Sequence, residues 1–507
     1  MTPSSSFFDL KKFLTPKRLK VLFVATEAAP FAKAGGLGDV MYSLPLALND
    51  LGVDARVMIP RYGTIDPKKY NLLMELEGLK VPTDQPGPYP FLVCNVKKYI
   101  GKKAPCTYFL ENMEYYEKRA NVYGYSDDHV RWALLCRGTI EFLRQSKWKP
   151  DIIVASDWQT GLISNYLKTV YKKDPVFSQI GLIFAIHNLH YQGMCDFRFM
   201  PESERDSARE PIPDFFNPRL AKLNWMLRGI MYSDYIVTVS PTYAKEIVTP
   251  EYGEGLDKIL KEKQHKIFGI LNGISYKDYN PETSPYIPVH YNLRTLQKRK
   301  RNKIHLQKRL ALEQKQDVFV IGMVSRLTEQ KGFDLLGEII SPLFENLNLQ
   351  LVVVGDGESR YKEMIQKASE KFPKRIGFSF SFEKALPHLV FAGADALLVP
   401  SKFEPCGIVQ LQAMRYGCVP IVRKTGGLAD TVEDFNPQQE TGTGFVFEKY
   451  EPLALYTAIV RAYTIFSTKN IWMRLVARAM KEDFSWLKSA KKYLELFNML
   501  LKEKRGQ

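Results

Sequence analysis

Continuous apolar runs, without the alternation of an amphipathic strand, recur through the first half of the chain. They occupy residues 19–26, 151–156, 180–187 and 234–240. Runs of this kind are typical of strands that are buried on both faces of a parallel sheet. Segments with helical spacing, such as 126–146, lie between them. The alternation of strands and helices predicts a layered α/β domain.

The same alternation begins again in the second half of the chain, with apolar runs at 317–325, 349–357 and 394–401. Between the two series lies "NPETSPYIPVHYN" (280–292), whose prolines and polar residues indicate a linker. We therefore predict two Rossmann-like, doubly wound α/β domains that face a cleft. In such sheets, ligands bind beyond the carboxyl ends of the strands.

The pattern as a whole suggests five segments. They are a disordered leader (1–18), a first domain (19–280), a linker with a basic helix (281–310), a second domain (311–482) and an amphipathic C-terminal helix (483–507).

Lysine and arginine exceed aspartate and glutamate by 71 − 55 = 16 residues. Such an excess suits an anionic partner, for example a nucleic acid, a membrane surface or a phosphorylated substrate. The longest basic cluster is "KRKRNK" at 298–303. Binding of a single-stranded nucleic acid requires aromatic residues interleaved with the cations, and this cluster contains none. We interpret it as a solvated linker or helix face and expect no nucleic-acid partner. No apolar run approaches the roughly 18 residues of a membrane span, so no membrane partner is expected either.

Six cysteines are scattered along the chain, and none of them forms C-x-x-C. This spacing disfavours a disulfide framework or a zinc site and favours a reducing compartment. The first twenty residues contain no long apolar segment of the secretory type. We expect a cytoplasmic location, or a plastid-like compartment in a eukaryote.

A glycine-rich turn, "AKAGGLGDV" (32–40), follows the first predicted strand. Its glycines come about ten residues after the strand, too late for the G-x-G-x-x-G of a dinucleotide site, which disfavours an NAD-dependent oxidoreductase. Backbone N–H groups at the start of a helix attract anions, and Lys33 adds a positive charge. The alternative is a tight turn with a surface lysine.

The second half of the chain carries further candidates at strand ends. Arg326 and Lys331 follow a buried strand, where two cations can hold a diphosphate or belong to an ordinary loop. Glu404 precedes a predicted helix, which its carboxylate could cap, or it could accept protons from sugar hydroxyls. The segment "TGGLADTV" (425–432) then repeats the glycine turn, which suggests two related half-sites.

Taken together, these motifs resemble the bacterial and plant glycogen/starch synthase family, in that family's order and from about residue 19 to 500. They are "KAGGLGDV", "HNLHYQG" (187–193), "TVSPTYAKEI" (238–247), "LNGI" (271–274), "SRLTEQKG" (325–332), "EPCGIVQLQAMRYG" (404–417) and "TGGLADTV". The resemblance implies a GT-B fold, with two Rossmann-like domains and a C-terminal helix that crosses back to the first.

The resemblance also implies an enzyme, a retaining glucosyltransferase. It would move glucose from ADP-glucose to the non-reducing end of an α-1,4-glucan, in glycogen or starch synthesis. No metal cofactor is expected, because the cations can stabilise the diphosphate leaving group and the chain has no D-x-D triplet. His187 and His190 lack further ligands at a convincing spacing for a metal. No side chain is an obvious nucleophile, so a front-face path is plausible.

Catalytic roles implied by the resemblance fall on four residues. His187 would lie near the transferred glucose, Arg326 and Lys331 would bind the diphosphate, and Glu404 would contact the donor sugar. The residues implied in substrate binding are Lys33, Gly35, Gly36, Asp39, Asp157, Asn188, Cys406, Gly407, Thr425, Gly426 and Gly427.

Within that set, Lys33 would contact the sugar nucleotide and Asp39 would lie near the glucose. Asp157 corresponds to an acceptor-side aspartate of the family. Cys406 and Gly407 stand beside Glu404, and 425–427 correspond to the second anion loop.

Two departures from the family pattern bear on specificity. Gln412 occupies the last position of the E-x7-E pattern that begins at Glu404, which puts the nucleotide preference in question. Ser156 replaces a histidine before Asp-Trp, so the acceptor subsite can differ. The alternatives are a GT-B transferase that uses UDP-glucose or a small acceptor, and a non-catalytic glucan-binding protein.

Overall fold

The computed structural model describes residues 18–87, 90–381 and 383–506. The chain forms two compact units, Met1–Val237 with Ala490–Gln507, and Thr238–Ser489. The leader expected over 1–18 lies outside the described residues except for Arg18.

The strands of the first unit form one sheet in the order β3-β4-β5-β2-β1-β6-β7-β8. The apolar runs predicted as buried strands are β1, β6, β7 and β8. Pairing is parallel from β5 through β2, β1 and β6 to β7, and antiparallel from β3 to β4 and from β4 to β5. The strands are β1 (Lys20–Val24), β2 (Asp54–Pro60), β3 (Leu73–Pro82), β4 (Phe91–Tyr99), β5 (Thr107–Glu111), β6 (Ile152–Ser156), β7 (Gly181–Ile186) and β8 (Tyr235–Thr238).

The helices of the first unit include the one predicted over 126–146, which is α2. Its side chains are buried almost all round, so it lies within the core of the unit. The helices are α1 (Gly36–Asp50), α2 (Asp128–Gln145), α3 (Leu162–Lys168), α4 (Arg219–Lys222) and α5 (Trp225–Tyr232).

The second unit contains a parallel six-stranded sheet in the order β12-β11-β10-β13-β14-β15. The three apolar runs predicted in this half are β10, β11 and β13, which are neighbours in the interior of the sheet. The strands of this sheet are β10 (Phe319–Val324), β11 (Leu349–Val354), β12 (Ile376–Ser379), β13 (Ala396–Val399), β14 (Val419–Arg423) and β15 (Phe445–Phe447), whereas β9 (Ile267–Gly269) lies outside it.

Ten helices of the second unit follow in chain order among its described residues. They are α6 (Pro241–Glu246), α7 (Asp257–Glu262), α8 (Arg299–Arg309), α9 (Phe333–Asn346), α10 (Ser359–Lys371), α11 (Ala385–Gly393), α12 (Val409–Arg415), α13 (Gly426–Thr431), α14 (Pro452–Ser467) and α15 (Lys469–Lys481).

The basic cluster at 298–303 opens α8, and part of it is structural. Lys303 is 4% exposed and pairs with Asp395 at 2.6 Å. Arg299 donates to the carbonyl oxygen of Ala394 at 2.6 Å, just after α11 ends. The interpretation of the cluster as a solvated face is therefore wrong for these two residues, because their long side chains reach buried acceptors.

The last helix, α16 (Trp486–Lys504), begins in the second unit, and its residues from Ala490 onward belong to the first. Within the first unit, Lys504 pairs with Asp234 at 3.0 Å and Tyr235 donates to Glu503 at 2.6 Å. Residues 238–280 also belong to the second unit by their contacts. The sequence pattern placed them in the first domain, because the linker composition begins only at 280.

Candidate active site

The first glycine turn joins β1 to α1 and closes around the carboxylate of Glu27. The backbone N–H groups of Ala34 and Gly35 donate to Glu27 Oε2, the latter at 2.9 Å. Glu27 is only 2% exposed, and burial raises the pKa of its carboxyl, although the N–H groups of Ala34, Gly35 and Gly38 oppose that rise. In this structure, the anion at the turn is thus a side chain of the protein.

Lys33 and Asp39 form an ion pair at the outer side of the same turn. Lys33 Nζ lies 2.7 Å from both carboxylate oxygens of Asp39, and each side chain is about half exposed. An exposed pair of this kind contributes only about 0–1 kcal/mol. Lys33 can therefore leave Asp39 for an anionic ligand at little cost. Gly36, the first residue of α1, is exposed beside the pair.

Asp157 holds an unusual backbone conformation just after β6, with φ 58° and ψ 179°. A non-glycine residue in this region costs on the order of 1–3 kcal/mol, and such residues cluster at functional sites. Its carboxylate accepts from the backbone N–H of His187 at 2.8 Å and of Asn188 at 3.4 Å. Burial raises the pKa of Asp157, while the charge of His187 lowers it. The structure thus brings three predicted residues together.

Two buried polar atoms beside Asp157 have no hydrogen-bond partner among the described residues. They are His187 Nε2 and Ser156 Oγ. Buried polar groups are nearly always hydrogen-bonded, so each exception calls for a reason. A hydroxyl-rich ligand can supply the missing partner of His187, which is partly exposed, whereas Ser156 is fully buried.

In the second unit, Lys331 and Glu404 meet at the carboxyl ends of β10 and β13. Lys331 Nζ lies 2.5 Å from Glu404 Oε2, to which Ser401 Oγ also donates at 2.9 Å. Glu404 is 8% exposed, and it does not cap α12, which begins at Val409. The pair lines a cavity of about 150 Å³ with Ser325, Gly407, Ile408 and Val409 among its other walls.

Arg326 lies at the same strand end, but the structure does not pair it with the other predicted residues. Its side chain is exposed and makes no hydrogen bond to the residues that the structure describes. A guanidinium presents five N–H donors, so Arg326 is free to bind phosphate oxygens.

The second glycine turn, which opens α13, also closes around a carboxylate. Glu246, the last residue of α6, accepts from Thr425 Oγ1 at 3.0 Å and from the backbone N–H of Gly426 at 3.0 and 3.1 Å. Glu246 is half-buried, and burial raises the pKa of its carboxyl. Each of the two glycine turns is therefore closed by a carboxylate, which their sequence motifs do not reveal.

This second turn packs directly on the backbone that carries Glu404. Gly427 N–H donates to the carbonyl oxygens of Glu404 at 3.1 Å and Pro405 at 3.2 Å. A Cβ atom on Gly426 would come 2.0 Å from the Glu404 oxygen, and one on Gly427 would come 1.9 Å from the Cys406 oxygen. Only glycine permits so close an approach.

Cys406 and Gly407 follow Glu404 closely in the chain, and Gly407 lines the cavity. Burial raises the pKa of the Cys406 thiol to about 12, so this cysteine is not a nucleophile at neutral pH. Gly407 has φ 65°, and a Cβ there would come 2.5 Å from Gln410 Oε1. Gly407 therefore shapes the wall of the cavity, whereas Cys406 is not one of its lining residues.

Comparison with known proteins identifies the family of the chain. The model of the starch synthase catalytic domain matches residues 20–262, and the model of group 1 glycosyl transferases matches 306–465. A glycogen synthase from Desulforamulus reducens is 40% identical over 487 residues, which are 95% of this chain and 99% of that protein. The chain belongs to the glycogen/starch synthase family. It is an enzyme, a glucosyltransferase of glycogen or starch synthesis.

Two further relatives support the same assignment. A glycogen synthase from Clostridium perfringens is 40% identical over 489 residues, which cover 96% of this chain and 99% of that protein. The catalytic domain of starch synthase IV from Arabidopsis thaliana, bound to ADP and acarbose, superposes with a TM-score of 0.82 at 30% identity. That similarity covers 96% of this chain and 100% of the Arabidopsis chain, and it confirms the GT-B fold.

Sequence reasoning missed three residues of this glycogen/starch synthase that the structure places against the predicted ones. Glu27 and Glu246 hold the glycine turns, and the backbone of Asn272, in "LNGI", bonds to the Cys406 sulfur. Asn272 is 5% exposed and its Oδ1 has no partner in the described structure. Glu246 and Asn272 lie within quoted motifs, "TVSPTYAKEI" and "LNGI", and Glu27 lies three residues past a buried strand, but the sequence assigned a role to none of the three.

Several expected absences can be examined over the described ranges. No group of three or more His, Cys, Asp or Glu side chains within them is arranged to hold a metal ion. None of their helices combines the length and apolar character that crossing a bilayer requires. All six cysteines lie in the described part of the chain and are free.

Proposed function

We propose that this enzyme transfers glucose from ADP-glucose to the non-reducing end of an α-1,4-glucan, with retention of configuration and without a metal ion. The observation that carries the proposal is the Lys331–Glu404 pair at the cavity of the second unit, with the unpaired Arg326 at the same strand end. The related Arabidopsis enzyme binds ADP and acarbose, a nucleoside diphosphate and a glucan-like sugar.

The cations of the second unit suit the departure of a nucleoside diphosphate. Lys331 Nζ has three N–H donors and spends one on Glu404, so it can also bind a phosphate oxygen. Arg326 can bind a second oxygen through its planar fork. Preorganised positive charge of this kind stabilises the negative charge that develops as the bond to the sugar breaks, so a metal ion is not required.

Both carboxylate oxygens of Glu404 can accept hydrogen bonds, and Oε2 already accepts them from Lys331 and Ser401. It can therefore orient the hydroxyls of the donor glucose while Lys331 balances its charge. The Cys406 thiol beside it stays protonated and is not a nucleophile. We propose a front-face path, in which the departing phosphate takes the proton of the attacking hydroxyl.

The first unit offers the features expected around the sugars. Asp157 and His187 present a carboxylate and the unpartnered Nε2, which sugar hydroxyls can satisfy. Lys33 can leave its exposed pair with Asp39 to contact the sugar nucleotide.

UDP-glucose is the second candidate donor. Gln412, half-buried on α12, stands where many GT-B enzymes carry a carboxylate for the ribose. Measuring radiolabelled glucose transfer to glycogen from ADP-glucose and UDP-glucose, each with and without EDTA, tests the proposal. We expect ADP-glucose to be preferred and EDTA to have no effect. A UDP-glucose preference, or activity that EDTA abolishes and Mg²⁺ restores, would contradict it.

A further inference from the structure

Two short helices of the second unit hold each other by reciprocal hydrogen bonds. At one end, Thr242 of α6 donates to Asp430 of α13 through both its backbone N–H at 2.8 Å and its hydroxyl at 2.7 Å. At the other end, Thr425 and Gly426 donate to Glu246, the last residue of α6. We call these five residues the α6–α13 clasp.

The clasp acts on the backbone of the donor site. Gly427, the residue after Gly426 of the clasp, donates to the Glu404 carbonyl at 3.1 Å. The contact is close enough that neither Gly426 nor Gly427 has room for a Cβ against 404–406. A shift of the turn therefore moves the backbone that carries Glu404, because close-packed backbone atoms transmit displacement rather than absorb it.

The Glu246 carboxylate is kept at the second glycine turn although its burial there is unfavourable. A half-buried carboxylate gives up part of its hydration, and burial accordingly raises its pKa. Its two oxygens accept from one hydroxyl and one backbone N–H, the latter shared between both oxygens. A glutamine whose oxygen takes the place of Oε1 can still accept both 3.0 Å bonds, but it loses the charge and turns its N–H₂ group toward the N–H of Gly426, so it weakens the arrangement.

We propose that Glu246 is a positioning residue for glucosyl transfer, which acts through the second glycine turn to fix Glu404 and Lys331 at the cavity. Glu246 itself does not line that cavity. The proposal rests on the proposed function only in that Glu404 contacts the donor glucose. Misplacing a reacting group by about 1 Å can cost on the order of 100-fold in rate.

The test compares Glu246→Gln with Glu262→Gln, a matched control that removes the same charge from an exposed position on α7. For each full-length variant, kcat and KM would be measured with whichever donor the wild type uses, and the Kd for ADP by calorimetry. We expect Glu246→Gln to lower kcat about 10- to 100-fold, with the Kd for ADP within about threefold. The control should match the wild type.

Other outcomes would overturn the proposal. A near-normal kcat in folded Glu246→Gln shows that the clasp is only structural, and an equal loss of kcat and ADP affinity shows that Glu246 supports the nucleotide pocket as a whole. Where melting shows that Glu246→Gln does not fold, Glu246→Asp and Asp430→Asn decide by the same criteria. A wild type inactive with both donors would instead refute the proposed function.

Discussion

The two glycine turns carry nearly the same letters, yet they serve the protein differently. Both close around a buried or half-buried carboxylate, Glu27 in the first unit and Glu246 in the second. At the first turn, a Cβ on Gly35 would meet only Glu27 Oε1, at 3.4 Å. At the second, a Cβ on Gly427 would come 1.9 Å from the backbone of Cys406.

One motif can thus need its glycines for two different reasons. The first turn is open on its outer side, where Lys33 and Asp39 are half exposed and able to rearrange. The second is wedged against the chain segment that carries Glu404. We therefore expect the first turn to respond to ligands and the second to hold the donor site in a fixed place.

Replacing glycine by alanine tests this contrast most severely. Gly427→Ala forces a methyl group into a backbone oxygen, and we expect it to lower the free energy of unfolding of the second unit by about 3 kcal/mol or more. Gly35→Ala needs no such displacement and should cost less than about 1 kcal/mol. Thermal and urea unfolding of both variants measures the effects. Equal effects would show that the two turns are equivalent.

The second turn packs against the backbone of Glu404. The role of that residue in catalysis is tested by Glu404→Ala. Because Glu404 should contact the glucose, which ADP lacks, we expect kcat to fall on the order of 1,000-fold while the Kd for ADP hardly changes. Steady-state kinetics and calorimetry give the two values. A matching loss of ADP affinity would place Glu404 on the nucleotide instead.

At the first turn, Lys33→Ala should cost about 100-fold in kcat, since it removes one donor near the charge that develops on the diphosphate. The fold should persist, because the exposed pair with Asp39 contributes little stability. Turnover assays with circular dichroism as the folding control check both points. A near-normal turnover would show that the first turn only joins β1 to α1 and takes no part in catalysis.

The smallest effect concerns pH and the two resident carboxylates. Burial raises the pKa of Glu27 and Glu246 above the ordinary value of 4.5, so between 4.5 and each raised pKa the native state binds more protons than the unfolded state. Each carboxyl therefore adds to the unfolding free energy as the pH falls through that window. The gain is at most about 1.4 kcal/mol for each pH unit that the window spans.

Unfolding titrations of Glu27→Gln and Glu246→Gln between neutral and acidic pH would detect this linkage, since a glutamine cannot titrate. We expect each variant to lose the acid-side gain that the wild type shows. A wild-type-like pH dependence in both variants would refute the linkage.

The central strands, the two-fold repetition of α/β elements and the family all follow from the amino-acid sequence alone. Apolar runs such as 19–26 and 349–357 can be satisfied only by burial on both faces, so local pattern and tertiary position coincide there. The antiparallel pair β3 and β4 was not predicted, because its register shifts between Met74 and Leu79 break the alternation on which such a prediction depends. The sequence motifs alone were enough to name four candidate site residues, Lys33, Asp157, Lys331 and Glu404.

The group that holds each glycine turn, by contrast, emerges only when the chain is folded. Glu27 lies seven residues from Ala34 in the chain, and Glu246 lies 180 residues from Gly426. Nothing in the letters around Glu246 indicates an acceptor for backbone N–H groups, because that role depends on where α6 ends in space relative to α13. The residue types determine which groups can donate or accept hydrogen bonds. The pairs that form depend on the packing, because a buried donor bonds to an acceptor that the fold places within reach.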